Sequence, residues 1–166
     1  MMAVNGSMSH IKMALDDVRM IHRLVEACGA KGRGVARRAK DLPSMVASAG
    51  LVPALTFYMS KASEEVYKAI LGYLDGGDAG ALCKGLSGKL VEELGEKEGA
   101  GYSTLLALAA RFLSKNGLLG SVGGYSELAG ELSKLAEDPA RVAAAEGLLL
   151  EYLIEVKKLA EAFFRE

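Results

Sequence analysis

The sequence contains no glutamine and only two asparagines, Asn5 and Asn116. Asn and Gln side chains are the usual readers of adenine edges, so a protein almost without them is poorly equipped to read a nucleic-acid sequence. If this chain binds nucleic acid, phosphate contacts are the expected mode. Amide side chains are also thermolabile, so their scarcity favours a thermophilic source, although the seven methionines point the other way.

Long hydrophobic runs are also missing. The longest apolar stretch runs from Thr104 to Ala110, far short of the ~20 residues that a membrane-spanning helix needs. The start of the chain, from Met1 to His10, lacks the basic and then apolar order of a signal peptide. These absences predict a cytoplasmic protein with no membrane partner.

Cysteine and histidine are too few and too scattered to suggest a metal site. Cys28 and Cys83 share no metal-ligand spacing with His10 or His22. We interpret both cysteines as buried small apolar residues; a disulfide between them is possible but has no support in the sequence. His22 falls on an apolar stripe and is interpreted as a core or boundary residue, whereas His10 lies near an end expected to be flexible.

No catalytic constellation is present in the sequence. Adjacent carboxylates such as Asp16 and Asp17 point about 100° apart on a helix and cannot form a site alone. No strand followed by a glycine run leads into Gly-Lys-Ser/Thr, so a phosphate-binding Walker loop is absent. We therefore expect no catalytic residue, no metal, no cofactor and no enzyme activity. An enzyme that uses a surface the sequence does not reveal stays as an alternative.

The apolar residues that are present are spaced as in helices nearly everywhere. The 166 residues, 51% of them hydrophobic, amount to one domain. We predict an all-α bundle of about six to seven helices spanning residues 1–166, with residues 1–8 flexible. The expected helices include Ser9–Cys28, a fresh turn capped by Asp41 before Pro43, Asp78–Glu98, a very apolar and buried Gly101–Asn116, and a last helix from Pro139 that lies centrally in the core.

Charge is distributed unevenly along the chain. Up to Lys61 there are nine basic and four acidic residues, a net charge of +5; the remainder has 11 basic and 17 acidic residues, a net charge of −6, and the total is −1. Such asymmetry suggests a basic surface for an anionic partner. An uneven solvated surface without a partner explains the same pattern, and both interpretations stay open.

The densest basic stretch begins in a glycine-rich turn. We define the basic arm as Lys31, Arg33, Arg37, Arg38 and Lys40, and the turn as Gly29–Gly34. Its glycines could let backbone N–H groups approach a phosphate, or it could be a flexible interhelix turn that happens to be basic. Four aromatic residues could stack on bases, but helical spacing favours the core for them: Phe57, Tyr67, Tyr73 and Phe163.

Two segments resemble a known family. The stretch Leu42–Lys61, LPSMVASAGLVPALTFYMSK, and the stretch Leu150–Ala162, LEYLIEVKKLAEA, are similar to signatures of the small helical subunit of type III-B CRISPR–Cas effector complexes, the fifth subunit of the Cmr family. The chain departs from the family pattern at Ala49, where Asn is common, and at Ile154 or Glu155, where Trp is frequent. The region from Gly117 to Pro139 is longer than usual.

The resemblance implies a non-catalytic subunit that stacks along the channel in which guide RNA pairs with target RNA. Its partners would be the repeated backbone subunit, the large subunit and both RNAs, contacted without sequence preference. Neighbouring copies would dock basic side to acidic side, as in a filament. The candidate RNA-binding residues are the basic arm with Lys61, Lys157 and Lys158, although the helix dipole also explains cations late in the last helix. A helical protein–protein adaptor that does not bind nucleic acid is the alternative.

Overall fold

The computed structural model describes residues 6–164 and is all helical over that range, as predicted. These described residues form nine helices: α1 (Gly6–Ala27), α2 (Arg33–Ala49), α3 (Leu51–Lys61), α4 (Glu64–Leu74), α5 (Ala79–Gly85), α6 (Ser87–Glu93), α7 (Tyr102–Lys115), α8 (Tyr125–Ala136) and α9 (Pro139–Phe164). The number exceeds the expected six to seven partly because Leu86, with φ −127° and ψ 34°, divides the predicted Asp78–Glu98 helix. Of the residues expected to be flexible, 1–5 lie outside the described residues and 6–8 already belong to α1.

Helix α7 is the centre of the core. Every residue from Tyr102 to Ala110 is buried, because α2, α3, α4 and α9 all pack against this helix. Helix α9, which we expected in the centre, packs on α1 and α2 with one face and leaves Ile154 49% exposed on the other. One of the two apolar sides of α9 is therefore buried, and the other forms an exposed strip. Leu149 and Leu153 lie on the buried side.

Helix α2 continues through Pro43, so the predicted fresh turn at Asp41 does not form. Asp41 does not cap a helix, because Tyr58 Oη donates to its Oδ2 at 2.7 Å and Arg38 Nη1 lies 3.7 Å from the same oxygen. Proline lacks the N–H that would bond one turn back. The packing of α2 against α3 and α9 keeps the helix continuous despite that loss.

Three helices have a glycine at the N-cap position and are capped instead by glutamates from elsewhere in the chain. Glu146 accepts the N–H of Leu51 at 2.8 Å at the start of α3, and Glu93 accepts the N–H of Thr104 at 2.7 Å in the first turn of α7. Glu64 accepts the N–H of Tyr125 at 2.9 Å at the start of α8. A glycine has no side chain to satisfy the free N–H groups at a helix start, and a carboxylate there also interacts favourably with the helix dipole.

A buried polar network joins four helices. Asp17 on α1 accepts hydrogen bonds from Tyr152 Oη of α9 at 2.6 Å and from Arg111 Nη1 of α7 at 3.1 Å. Arg111 Nε also donates to Asp75, just after α4, at 3.1 Å. Burial raises the pKa of Asp17, and the bonds from Tyr152 and Arg111 counteract that rise. The network fixes the positions of α1, α7 and α9 relative to each other.

Two expectations about α1 are wrong. Cys28 and Cys83 form a disulfide, with Cα atoms 5.5 Å apart, because α5 packs beside the end of α1. His10 is buried at 6% exposure, with its Nδ1 3.1 Å from Glu151 of α9 and its ring edge-on to Phe112. Both partners are remote in sequence, at separations of 55 and 141 residues.

Candidate nucleic-acid interface

The glycine turn before α2 packs directly on the α6–α7 loop, residues 94–101. The N–H groups of Gly32 and Gly34 donate to the carbonyls of Leu94 and Gly95, each at 2.7 Å. A Cβ added to Gly34 would overlap Ala100, so glycine is required here for close packing. These two N–H groups are engaged within the chain, so the hypothesis that they approach a phosphate is wrong for them.

The three arginines of the basic arm reach the same loop. Arg33 Nη1 donates to Glu96 Oε1 at 2.6 Å. Arg37 donates to the carbonyl oxygens of Glu96 and Lys97 at 3.3–3.4 Å from an exposed position. The arm therefore holds the α6–α7 loop against the start of α2.

Arg38 is the buried member of the arm, at 8% exposure. Its Nε donates to the carbonyl of Ala100 at 3.3 Å and its Nη2 to the carbonyl of Glu98 at 2.8 Å. The guanidinium carbon lies 4.2 Å from the centre of the Tyr102 ring, a cation–π distance. This environment gives Arg38 a structural role.

Contacts within the chain neutralise part of the charge asymmetry seen in the sequence. Glu96, from the acidic part of the chain, pairs with Arg33, and the backbone around it accepts from Arg37 and Arg38. The basic arm is therefore not a bare cationic patch. Binding of an anionic partner to this surface therefore depends on the cations that remain exposed to solvent.

Five of the predicted cations are exposed: Lys31, Arg37, Lys40 and Lys61, and, on α9, Lys158. Lys61 lines a cavity of about 500 Å³ together with Arg38, so it lies close to the arm in space. Its Nζ is 5.6 Å from the centre of the Phe57 ring, and Phe57 is itself 39% exposed. Charge and an exposed aromatic ring therefore occur together at this point.

Two lysines beside the arm were missed from the sequence. Lys89 and Lys97 line a neighbouring cavity of about 370 Å³ with Lys61, and Lys97 also shares a cavity with Lys31. Both lie in an acidic stretch: Lys89 pairs with Glu65, and Lys97 Nζ is 3.9 Å from Glu92. No local signal marks them, because only the folding of the α6–α7 loop onto α2 brings them near the arm.

One buried carboxyl lines that neighbouring cavity. Glu93 accepts from both the backbone N–H and the hydroxyl of Thr104, at 2.7 and 2.8 Å. Burial raises the pKa of Glu93 to about 6, and the hydrogen bonds from Thr104 and Ser103 limit the rise. Above that pH the carboxylate of Glu93 is charged, and it has no ion-pair partner among residues 6–164. Its negative charge therefore opposes the binding of strongly anionic ligands in this cavity.

The remaining predicted residues lie apart from this group. No described contact joins Lys157 or Lys158 to the arm, and Lys158 pairs with Glu155 at 2.9 Å. Tyr67 and Tyr73 are buried, as expected for core residues. Two further residues, Phe163 and His22, lie at the end of α9 and on α1: His22 is half-buried against Phe163, with ring centres 4.7 Å apart, and Phe163 stays 39% exposed.

Two other classes of site do not occur within residues 6–164. No three His, Cys, Asp or Glu side chains in that range come together as a metal ion would need. Nor does any helix within it combine the length and apolar character required to cross a membrane.

The family model described as CRISPR-associated protein (Cas_Cmr5) matches residues 10–163. The chain belongs to the Cmr5 family. Cmr5 proteins are small subunits of type III-B CRISPR–Cas systems, so the resemblance seen in residues 42–61 and 150–162 is confirmed. The family implies a structural subunit that associates with other subunits of the Cmr complex. Neither the curated proteins nor the solved structures contain a match to the chain.

Proposed function

We propose that this Cmr5-family chain is a non-catalytic subunit that contacts the RNA backbone within a type III-B effector complex. The observation that carries the proposal is the group of exposed cations around the α6–α7 loop: Lys31, Arg37, Lys61 and Lys97, with Lys40 one turn further along α2. Cations that are exposed and close together bind phosphates without reading sequence. The near absence of Asn and Gln agrees with this mode.

The exposed ring of Phe57 adds a second kind of contact to the proposed surface. Aromatic rings stack on unpaired bases of any identity, which suits an RNA surface without sequence preference. Phe57 and Lys61 lie side by side on α3, so one nucleotide could meet both. Lys157 and Lys158 stay as proposed contacts on a separate part of α9, where copies stacked as in a filament would extend the basic surface.

The proposal is tested on the reconstituted complex with the charges of Arg37 and Lys61 reversed to Glu. Both side chains are exposed, so the fold should persist. Target-RNA affinity should fall, and the salt slope of binding should decrease by about one for each phosphate that the variant no longer neutralises. The matched control reverses Lys12 and Lys84, which are exposed and line none of the three cavities beside the α6–α7 loop. Unchanged affinity and slope in the first variant would contradict RNA contact by this surface.

A helical adaptor without nucleic-acid binding is the second candidate. The observation that favours it is the use of Arg33, Arg37 and Arg38 to hold the chain's own α6–α7 loop. An apolar strip, formed by Ile11 and Leu15 on α1 and Ile154 on α9, is 38–49% exposed and suits contact with another subunit. The adaptor hypothesis predicts that complex assembly depends on this strip and that substitutions at Arg37 and Lys61 leave RNA affinity unchanged.

A further inference from the structure

A second cationic cavity lies at the other end of α7. It has a volume of about 410 Å³ and is lined by Lys68, Arg111 and Lys115, with Asp75 as the one carboxylate among its lining residues. Helix α7 separates it from the α6–α7 loop, and the thirteen steps from Tyr102 to Lys115 span about 20 Å at 1.5 Å per residue. It is therefore distinct from the surface proposed to contact RNA.

Arg111 is held in a fixed orientation at this cavity. Its side chain is only 16% exposed, and it donates to Asp75, to Asp17 and to the carbonyl of Leu74 at 3.1–3.4 Å. A guanidinium has five N–H donors, so these bonds leave two available. A cation fixed before the ligand arrives binds an anion without losing side-chain freedom.

Lys68 and Lys115 are the adjustable cations. Their side chains are 56% and 54% exposed, and their ion pairs with Glu64 and Asp75 are both 3.7 Å long. Close charge-assisted hydrogen bonds measure about 2.7–2.9 Å, so these are loose contacts. A phosphate entering the cavity would offer each ammonium a closer partner at little cost.

The loop between α7 and α8 supplies backbone donors to the same cavity. Within residues 6–164, the N–H groups of Ser121, Val122 and Gly123 donate to no protein acceptor. The loop is nevertheless held in place, because the carbonyl of Val122 accepts from Tyr67 Oη at 2.6 Å and the N–H of Gly120 donates to Glu131 at 2.7 Å. Consecutive N–H groups in a glycine-containing loop are suited to form an anion-binding concavity.

We propose that this cavity binds a phosphoryl group, through Lys68, Lys115, the remaining donors of Arg111 and the backbone N–H groups of residues 121–123. When Lys115 turns to the phosphate, Asp75 keeps its ion pair with Arg111 Nε at 3.1 Å. Because Arg111 is also paired with Asp17, most of the attraction comes from Lys68, Lys115 and the backbone N–H groups. Two sources share the required chemistry: the terminal phosphate of a small phosphorylated molecule and a backbone phosphodiester of RNA. The volume is large enough for the phosphate and the sugar attached to it.

The test follows the backbone amides of residues 121–123 by ¹H–¹⁵N NMR while the full chain is titrated with inorganic phosphate. We expect saturable shifts at these amides. Replacing Lys68 and Lys115 together by Ala should weaken binding at least tenfold, since each charged hydrogen bond that is removed is typically worth a factor of ten or more. The control replaces Lys12 and Lys84 by Ala and should bind as wild type does.

Two further titrations distinguish the sources. Tighter binding of adenosine 5′-monophosphate than of a dinucleoside phosphodiester identifies a terminal phosphate, and the reverse order identifies an RNA backbone; either result supports the pocket. Shifts that do not saturate with phosphate, or shifts of equal midpoint in the Lys68/Lys115 variant and in wild type, would overturn the proposal. Unchanged thermal melting of both variants shows that they are folded.

Discussion

Replacing Arg38 by Ala should destabilise the fold far more than the same change at its neighbour Arg37. Arg38 is 8% exposed, and its removal leaves the carbonyls of Glu98 and Ala100 without these donors and the Tyr102 face without its cation. Hydrogen bonds from a charged donor contribute about 1.5–3 kcal/mol each, and a cation–π contact about 0.5–2 kcal/mol. Because such contributions overlap, we expect a loss of about 3–5 kcal/mol in the free energy of unfolding.

Arg37 makes hydrogen bonds to the same loop from an exposed position, at 3.3–3.4 Å. Solvent competes for such contacts, so Arg37→Ala should cost less than about 1 kcal/mol. Urea unfolding followed by far-UV circular dichroism measures both values, and Arg38→Met, which keeps the apolar stem, isolates the guanidinium's share. An Arg38→Ala variant within about 1 kcal/mol of wild type, or equal losses at both positions, would refute the structural role of Arg38.

Three further predictions concern the core, the buried carboxyl and the apolar strip. Leu153→Ala, at a fully buried position of α9, should cost about 2–5 kcal/mol in urea unfolding; a loss below about 1 kcal/mol would show that the helix is peripheral. Glu93 has a pKa of about 6 when folded against an ordinary 4.5. Between these values the folded state binds more protons than the unfolded state, so the stability this carboxyl contributes at low pH is lost as pH rises. The stability of wild type relative to Glu93→Gln should therefore fall by about 2 kcal/mol from about pH 4 to about pH 7, and a constant difference would contradict this. Ile154→Glu, at a side chain 49% exposed, should leave the melting temperature within a few degrees of wild type but reduce incorporation into the reconstituted complex; normal incorporation would show that the strip is not a docking face.

Features set by neighbouring residues were predictable from the sequence. Asp138 before Pro139 marks the start of α9, and the Asp138 side chain indeed accepts the N–H of Arg141 at 3.2 Å. Ser63 likewise caps α4 by accepting the N–H of Val66. The apolar stretch between Thr104 and Ala110 correctly indicated a buried helix. In each case the signal and its partner lie within a few positions of each other, so propensity and periodicity suffice.

Features that depend on distant partners were not predictable. Three helices follow a glycine that has no side chain to cap them: Gly50, Gly101 and Gly124. The glutamates that cap these helices lie up to 95 residues away in the sequence. The sequence spacing around Cys28 and His10 does not indicate their partners. Only the packing of α1 against α5 and α9 brings Cys28 to Cys83 and His10 to Glu151.

The candidate site shows the same division between local and distant information. The basic character of residues 31–40 is evident from the sequence, but which arginines bind the protein's own backbone depends on the α6–α7 loop, about 60 residues further along. Lys97 could not be found beforehand for the same reason, since its local surroundings are acidic.

Photo-crosslinking tests the central claim most directly. The complex is reconstituted with this chain and a target RNA that carries 4-thiouridine throughout, irradiated, and digested for mass spectrometry. The account predicts RNA adducts on this chain in the peptides around Phe57 and Lys61 and around Lys97. Adducts confined to other subunits, with none on this chain although it is present in the complex, would contradict the claim that it contacts RNA.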